Sequence, residues 1–299
     1  MSTTTPFTSP DPTTESEPTM TATLTPAPTE AQMTPTETTT PIRRGKVRSI
    51  DVIRSEWIKF WSIRSTSITL IAAGIATVAF GMIFSAVAES DAQTGPAAFL
   101  TDPVEVALGG IGLTEMVIGV LGVMFVAGEY STGLIRSAFA SVGRRGRIIR
   151  AKTAVIAGSV FGIALVSVTA AITAGQAVYA GSEPTVPVTD VLDVVLGTSL
   201  YLTGIALIGI ALGFLLRSTA AGIGTLVGGV FIGPNLLSLL PDSVTDAFMK
   251  YLPSEAGSAM MTQVSDPDLL SRGAAYAVFS AWVVGLLALA TVLVSRQDA

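Results

Sequence analysis

The chain contains no cysteine and no histidine, and charged residues fill only 13% of its 299 positions. Without cysteine there are no disulfides, no thiolate chemistry and no thiolate metal sites. Without histidine a common metal ligand and the commonest general base are gone, and the usual nucleophile–base triads go with them. The scarcity of charge excludes as much. A soluble domain carries about 25% charged residues, and a chain so poor in charge, with a mean hydropathy of +0.63, cannot cover a water-facing surface. A lipid-facing surface is the simpler account. Phosphate-binding signatures are missing as well: Gly45-Lys46 is followed by Val47 and lacks the earlier glycine of a phosphate loop, and neither a dinucleotide fingerprint nor a metalloprotease helix is present. The chain is therefore read as holding no cofactor, no metal and no catalytic residue of its own, with nothing that points to a nucleic-acid partner. What is plentiful is glycine, at 29 residues, which membrane helices tolerate and their packing favours.

Residues 1–42 differ from the rest. Threonine and proline dominate, with scattered acids (Asp11, Glu15, Glu17, Glu30, Glu37) and almost no large aliphatic side chains. Such a segment cannot bury enough surface to offset its ordering entropy, so it is read as a disordered cytoplasmic tail. It has neither the basic start nor the apolar core of a signal peptide. A docking or phosphorylated tail is the alternative to a solvated spacer.

The remainder, 43–299, is read as one all-α membrane domain. Residues 48–64 are amphipathic: Ile50, Ile53, Trp57, Phe60 and Trp61 gather on one side of a helical wheel, and Asp51, Arg54, Ser55, Lys59 and Ser62 on the other. Tryptophan opposite arginine and lysine suits a helix lying in the membrane interface; the alternative is the cytoplasmic end of the first span. Six apolar stretches follow, at about 67–88, 106–127, 153–178, 194–216, 219–240 and 274–295. Each is near the ~20 residues needed to cross ~30 Å of hydrocarbon. Between the fourth and fifth only Arg217-Ser218-Thr219 intervenes, and a tight cytoplasmic turn satisfies a charge that one long helix would strand in mid-membrane.

The basic residues set the orientation. Of the 17 lysines and arginines, all but Lys250 and Arg272 fall on one side of a six-span arrangement, while the opposite loops carry Glu89, Asp91, Asp102, Glu105, Glu183, Asp190 and Asp193. This asymmetry places both termini in the cytoplasm, and five or seven spans would scramble it.

Four segments look functional. Between spans two and three, residues 129–152 begin as a short amphipathic helix, with Leu134, Ile135, Ala138, Phe139 and Val142 as apolar surface and Ser131 or Thr132 as cap, and end in a basic cluster. Such a helix can dock on a soluble protein; the alternative is an anchor on anionic membrane lipid. The long loop 241–273 is punctuated by Pro241, Pro253 and Pro267, which fits two short helices dipping into the outer leaflet or a plain surface loop. Glu115 is the one clear ionisable residue inside a span. It is either a functional group, on a substrate path or as a proton carrier, or a hydrogen-bonded glutamate at a helix contact. Glu129, at the cytoplasmic end of span two, can be satisfied by water or a basic neighbour. In span five, Gly224 with Gly228 and Gly229 with Gly233 permit close helix approach, and Pro234 should kink the helix and free a carbonyl one turn back.

These features together resemble the permease subunit of type-two ABC exporters, especially the actinobacterial kind, over roughly 48–296. Three stretches carry the likeness: Arg54-Ser55-Glu56-Trp57-Ile58-Lys59-Phe60 with Arg64-Ser65-Thr66; Gly128-Glu129-Tyr130-Ser131-Thr132-Gly133-Leu134-Ile135-Arg136 continuing to Arg144-Arg145-Gly146-Arg147 and Ala151-Lys152; and Leu252-Pro253-Ser254-Glu255-Ala256-Gly257. The resemblance implies that 48–64 is a membrane-surface connecting helix, and that 130–142 is a coupling helix docking on an ABC ATPase subunit. Glu129, Tyr130, Leu134, Ile135, Arg136, Phe139, Arg144 and Arg145 would belong to that contact. It further implies that the 217–219 turn, with Arg217, is a smaller second contact and that 242–264 forms re-entrant helices. Two permease chains, as a homodimer or heterodimer, would line the path, with ATP and Mg held on the partner ATPase and a lipophilic or amphipathic cargo. Where many relatives place proline before the arginine pair, this chain has Gly143. The competing expectations are a proton-coupled secondary transporter using Glu115, weakened by the lack of an evident internal repeat, and a membrane anchoring or signalling module acting through the tail.

Overall fold

The computed structural model describes residues 48–90, 103–142, 145–179, 188–241, 245, 248–262 and 269–296. The Thr/Pro-rich tail, Asp91, Asp102, Arg144 and Glu183 lie outside these residues. Among the described residues the chain is entirely helical, and six helices are long and apolar enough to cross a membrane. This is a multi-pass membrane protein by helix length and hydropathy.

An entry helix, Ser49–Ser62, comes first. Its start is a capping box in which the Asp51 carboxylate accepts from the Arg48 amide at 3.2 Å. The first span (Arg64–Ser90) follows after a one-residue break at Ile63. The second (Ile111–Ser131) is entered through the short helix Pro103–Ala107 and a turn at 108–110, so its regular part begins later in the chain than its apolar run and continues past Gly128. A short helix, Leu134–Val142, leads to the third span (Arg145–Tyr179). The fourth (Val188–Leu216) ends at Arg217, whose φ of 53° lies in the left-handed region that closes many helices. Ser218 then caps the fifth span, its hydroxyl accepting from the Ala221 amide at 3.4 Å. Two residues thus reverse the chain.

The fifth span is irregular. Helix Thr219–Leu226 passes into a π-helical turn, Val227–Ile232, and then into Gly233–Leu237. Pro234 has no amide to give the Val230 carbonyl. The Gly233 amide reaches back five residues to Gly228, and the Asn235 side-chain amide donates to Phe231 at 2.7 Å. A helix at Pro253–Met261 then precedes the sixth span, Arg272–Arg296.

Span four is the axis of the bundle. Its apolar window is 78% buried, against 22% for spans five and six, and it packs on spans two, three and six, on the start of span five and on the Pro253–Met261 helix. Span one lies along span three. Lipid offers no hydrophobic force to bring helices together, so close backbone approach has to do it. Between spans two and four it does: a Cβ on Gly122 would overlap the Ala206 carbonyl oxygen, and one on Gly209 would overlap the Gly119 carbonyl oxygen. The glycines of span five behave differently. Gly224, Gly228 and Gly229 have open space where a side chain would be.

The entry helix corrects one expectation. Its apolar residues do not share a single environment. Val52, Glu56 and Phe60, spaced at four, are buried against the protein, whereas Ile50, Trp57 and Trp61 face outward and Ile53 is half-buried. Phe60 is wholly enclosed and meets Phe125 edge-on, 5.5 Å between ring centres. The wheel finds amphipathicity, but this helix has two apolar partners, the bundle and the membrane, on adjacent sides.

Candidate functional site

Among the described residues, the buried ionisable side chains of the bundle concentrate in two places, one at each end of span two. The first is at the end where the entry helix, the Leu134–Val142 helix and the basic residues gather. Lys152, in the second turn of the third-span helix, is completely buried. Its ammonium donates to Glu56 Oε2 at 2.8 Å and to Glu129 Oε1 at 2.6 Å, and it stands 4.4 Å from the centre of the Phe125 ring. Lys59 also pairs with Glu129 Oε1. Two lysines and two glutamates from three helices thus form a neutral group. Isolated burial of any of these charges would be prohibitive, and mutual pairing is what makes the group tenable. Glu56 and Lys59 belong to the entry helix, Glu129 to span two and Lys152 to span three, so the group locks these three elements at one level.

Five residues beyond Glu129 the Leu134–Val142 helix begins. Gly133, at φ 73°, makes the corner, a conformation that suits a residue without Cβ. Ile135 is buried in the main core, with Tyr130 and Phe139 packed against it. Leu134, by contrast, is 53% exposed, and Arg136 and Ser137 beside it are exposed. The helix is therefore pinned by one face and offers another. Arg217, from the turn between spans four and five, lies 5.4 Å from the Tyr130 ring centre. The structure thus packs Tyr130, Ile135 and Phe139 into the core with Arg217 beside the Tyr130 ring, turns Glu129 to Lys59 and Lys152, and leaves Leu134 and Arg136 exposed, Leu134 at the same groove as Glu129. Arg145 opens the third-span helix.

Between spans one and two runs an apolar groove of about 720 Å³, lined by Ala73, Phe80, Leu113, Val117 and Met124 and reaching Lys59 and Glu129 at one end. It follows span two over almost its whole length.

The second polar place is a cavity of about 240 Å³ near the opposite end. Glu115, 7% exposed, accepts a 2.7 Å hydrogen bond from the Tyr201 hydroxyl of span four. Both line the cavity, with Asn235 and Ser238 from beyond the kink of span five and Ser254, Glu255 and Ser258 from the Pro253–Met261 helix. That helix is held deep against span four, since Gly257 abuts the Tyr201 ring. Partial burial holds the Glu255 carboxyl above its usual range. Nearby, Arg272 at the start of span six pairs with Asp193 of span four at 2.7 Å and donates to the Thr262 carbonyl at 3.2 Å.

Sequence reasoning singled out Glu115 and Glu129 but missed their partners. Glu56 and Lys152 are 96 residues apart, beyond any local pattern. The available signal for Glu56 was its place midway between Val52 and Phe60 at helical spacing. For Tyr201 it was a lone phenol, needing a hydrogen bond, within a span of aliphatic residues. Among the described residues no group of three or more acidic side chains is placed to hold a metal ion. No protein-family model, no curated protein and no solved structure matches the chain.

Proposed function

We propose that this chain is the membrane-spanning subunit of an ATP-driven exporter of the cell membrane, with both termini cytoplasmic. It would provide the path for a lipophilic or amphipathic cargo while a separate ABC ATPase subunit, carrying ATP and Mg, supplies the energy. The observation that supports this reading best is the Leu134–Val142 helix, fixed to the bundle through Ile135 and presenting Leu134 and Arg136 to the outside. An exposed leucine beside an arginine is what a groove on a soluble partner would receive, and the buried attachment lets a push on that helix reach the spans as a rigid-body movement. The Lys152 group strengthens the link, because the span that leads into this helix is tied through Glu129 to the entry helix and to span three. The lysine- and arginine-rich end would face the cytoplasm. The apolar groove between spans one and two and the uncovered small-residue face of span five are surfaces a second permease chain could cover.

Leu134→Asp and Arg136→Glu test the contact directly. Both side chains are exposed, so either change should alter bundle stability by no more than about 0.5 kcal/mol. Recovery of the ATPase with the tagged chain should nevertheless fall about tenfold or more, as loss of a central contact in an interface does. Undiminished ATPase recovery with both variants would remove this helix from the interface.

A further inference from the structure

The 240 Å³ cavity at the end of the bundle away from the basic residues carries an assignment of its own. Its polar lining is acidic or neutral. Glu115 and Glu255 supply carboxylates, Tyr201, Ser238, Ser254 and Ser258 supply hydroxyls, Asn235 an amide, and among the described residues no lysine or arginine lines it. Its apolar lining is Val230, Phe231, Pro234, Met249 and Met261. Glu115 is more than nine-tenths buried, yet its only hydrogen bond among the described residues is the one from Tyr201 to Oε1; Oε2 accepts none. The Ser254 hydroxyl oxygen, shielded from solvent, also lacks a hydrogen-bond partner. Glu115 Oε2 is not shielded from solvent as the Ser254 hydroxyl is, so a deeply placed carboxylate keeps one oxygen open where it lines the cavity.

We propose that this cavity binds the protonated or quaternary ammonium group of an organic cation, with Glu115 and Glu255 as counter-charges and the Tyr201 and Phe231 rings as partners for its alkyl surface. The mixture of acids with aromatic and methionine side chains favours this class. An ammonium carrying carbon substituents is weakly hydrated and gains from ring faces and apolar walls. A small inorganic cation would demand a denser set of oxygen ligands, and no group of three or more acidic side chains is gathered among the described residues. An anionic ligand would meet two carboxylates and, among the described lining residues, no lysine or arginine. As a cargo subsite the cavity rests on the exporter reading; as a cation site it does not.

The test uses the full chain in phosphatidylcholine nanodiscs, without nucleotide, and follows benzyltrimethylammonium by saturation-transfer NMR against empty nanodiscs. Phenylacetate is the anionic control. Binding of the cation and none of phenylacetate is expected. Glu115→Gln and Glu255→Gln should each weaken it about tenfold or more, the loss of one contact to a charged group. In Glu115→Gln the side-chain amide oxygen can still accept from Tyr201, so the fold is kept. Should Glu115→Gln nonetheless fail to fold, Glu255→Gln, at a half-buried position, decides alone. Unchanged binding in the folded variants, equal binding of phenylacetate, or displacement by millimolar magnesium would overturn the assignment. None of these outcomes depends on an ATPase partner, so the site and the exporter reading can fail separately.

Discussion

Lys152→Met should destabilise the protein by about 3–5 kcal/mol, the cost of leaving a buried charge without its partner. Lys152 has no solvent exposure and bridges Glu56 and Glu129, so its removal leaves Glu129 with Lys59 and takes away the ion pair of the enclosed Glu56 carboxylate. The sign follows from the charge balance. The native group is neutral, and the variant carries a net negative charge on two carboxylates that are almost wholly buried. The same reasoning predicts rescue. Lys152→Met combined with Glu56→Leu returns the group to one cation and one anion, Lys59 with Glu129, and should recover most of the loss, because a buried pair exchanged for apolar side chains of similar size is often close to neutral. Unfolding by sodium dodecyl sulfate in mixed micelles, followed by tryptophan fluorescence, measures both variants. A Lys152→Met protein as stable as the parent, or a double variant worse than the single, would contradict the arrangement.

Gly122→Val and Gly209→Val should each cost about 3 kcal/mol, at the upper end of overpacking effects. At both positions a Cβ would overlap a backbone carbonyl of the facing helix, from Ala206 and Gly119 respectively. Backbone cannot swing aside as a side chain can, so spans two and four would have to separate along a contact that supports the centre of the bundle. The comparison is span five, where Gly224→Val and Gly229→Val introduce a side chain into open space and should change the stability of the single chain by less than about 0.5 kcal/mol. The same detergent titration separates the two pairs. Equal effects in spans two and five would mean that the helices pack otherwise.

How much of this was legible in the sequence differs from element to element. The six spans follow from apolar runs of sufficient length, a property each segment carries by itself. The reversal at Arg217 was legible for the same reason, since a lone arginine between two apolar runs has to lie at their ends. The entry helix was legible as amphipathic but not as a helix with two apolar neighbours, because a wheel records the contrast of faces and not what covers them. Thus Phe60 was grouped with Trp57 and Trp61, although it is enclosed against Phe125 while they face outward. Glu115 stood out through the cost of its charge. Its partner Tyr201 is 86 residues away, and tertiary pairing at that distance leaves no periodic trace. Lys152 was counted with the basic residues of its loop. It is buried because the third-span helix begins at Arg145, well before the apolar run, so that its early turns pack on the entry helix. The π-helical turn before Pro234 was half legible: a proline frees a carbonyl one turn back, but which backbone rearrangement absorbs the break depends on neighbours such as Asn235.

The proposed function turns on a partner, and the most direct measurement is to isolate one. Affinity purification of the full chain from its native host in mild detergent, with mass spectrometry of the proteins recovered in stoichiometric amount, is expected to yield a soluble ATPase that carries the phosphate loop this chain lacks. Recovery of the chain without any nucleotide-binding partner, under conditions that keep other membrane complexes intact, would contradict the exporter reading and leave proton-coupled transport through Glu115 as the reading to pursue.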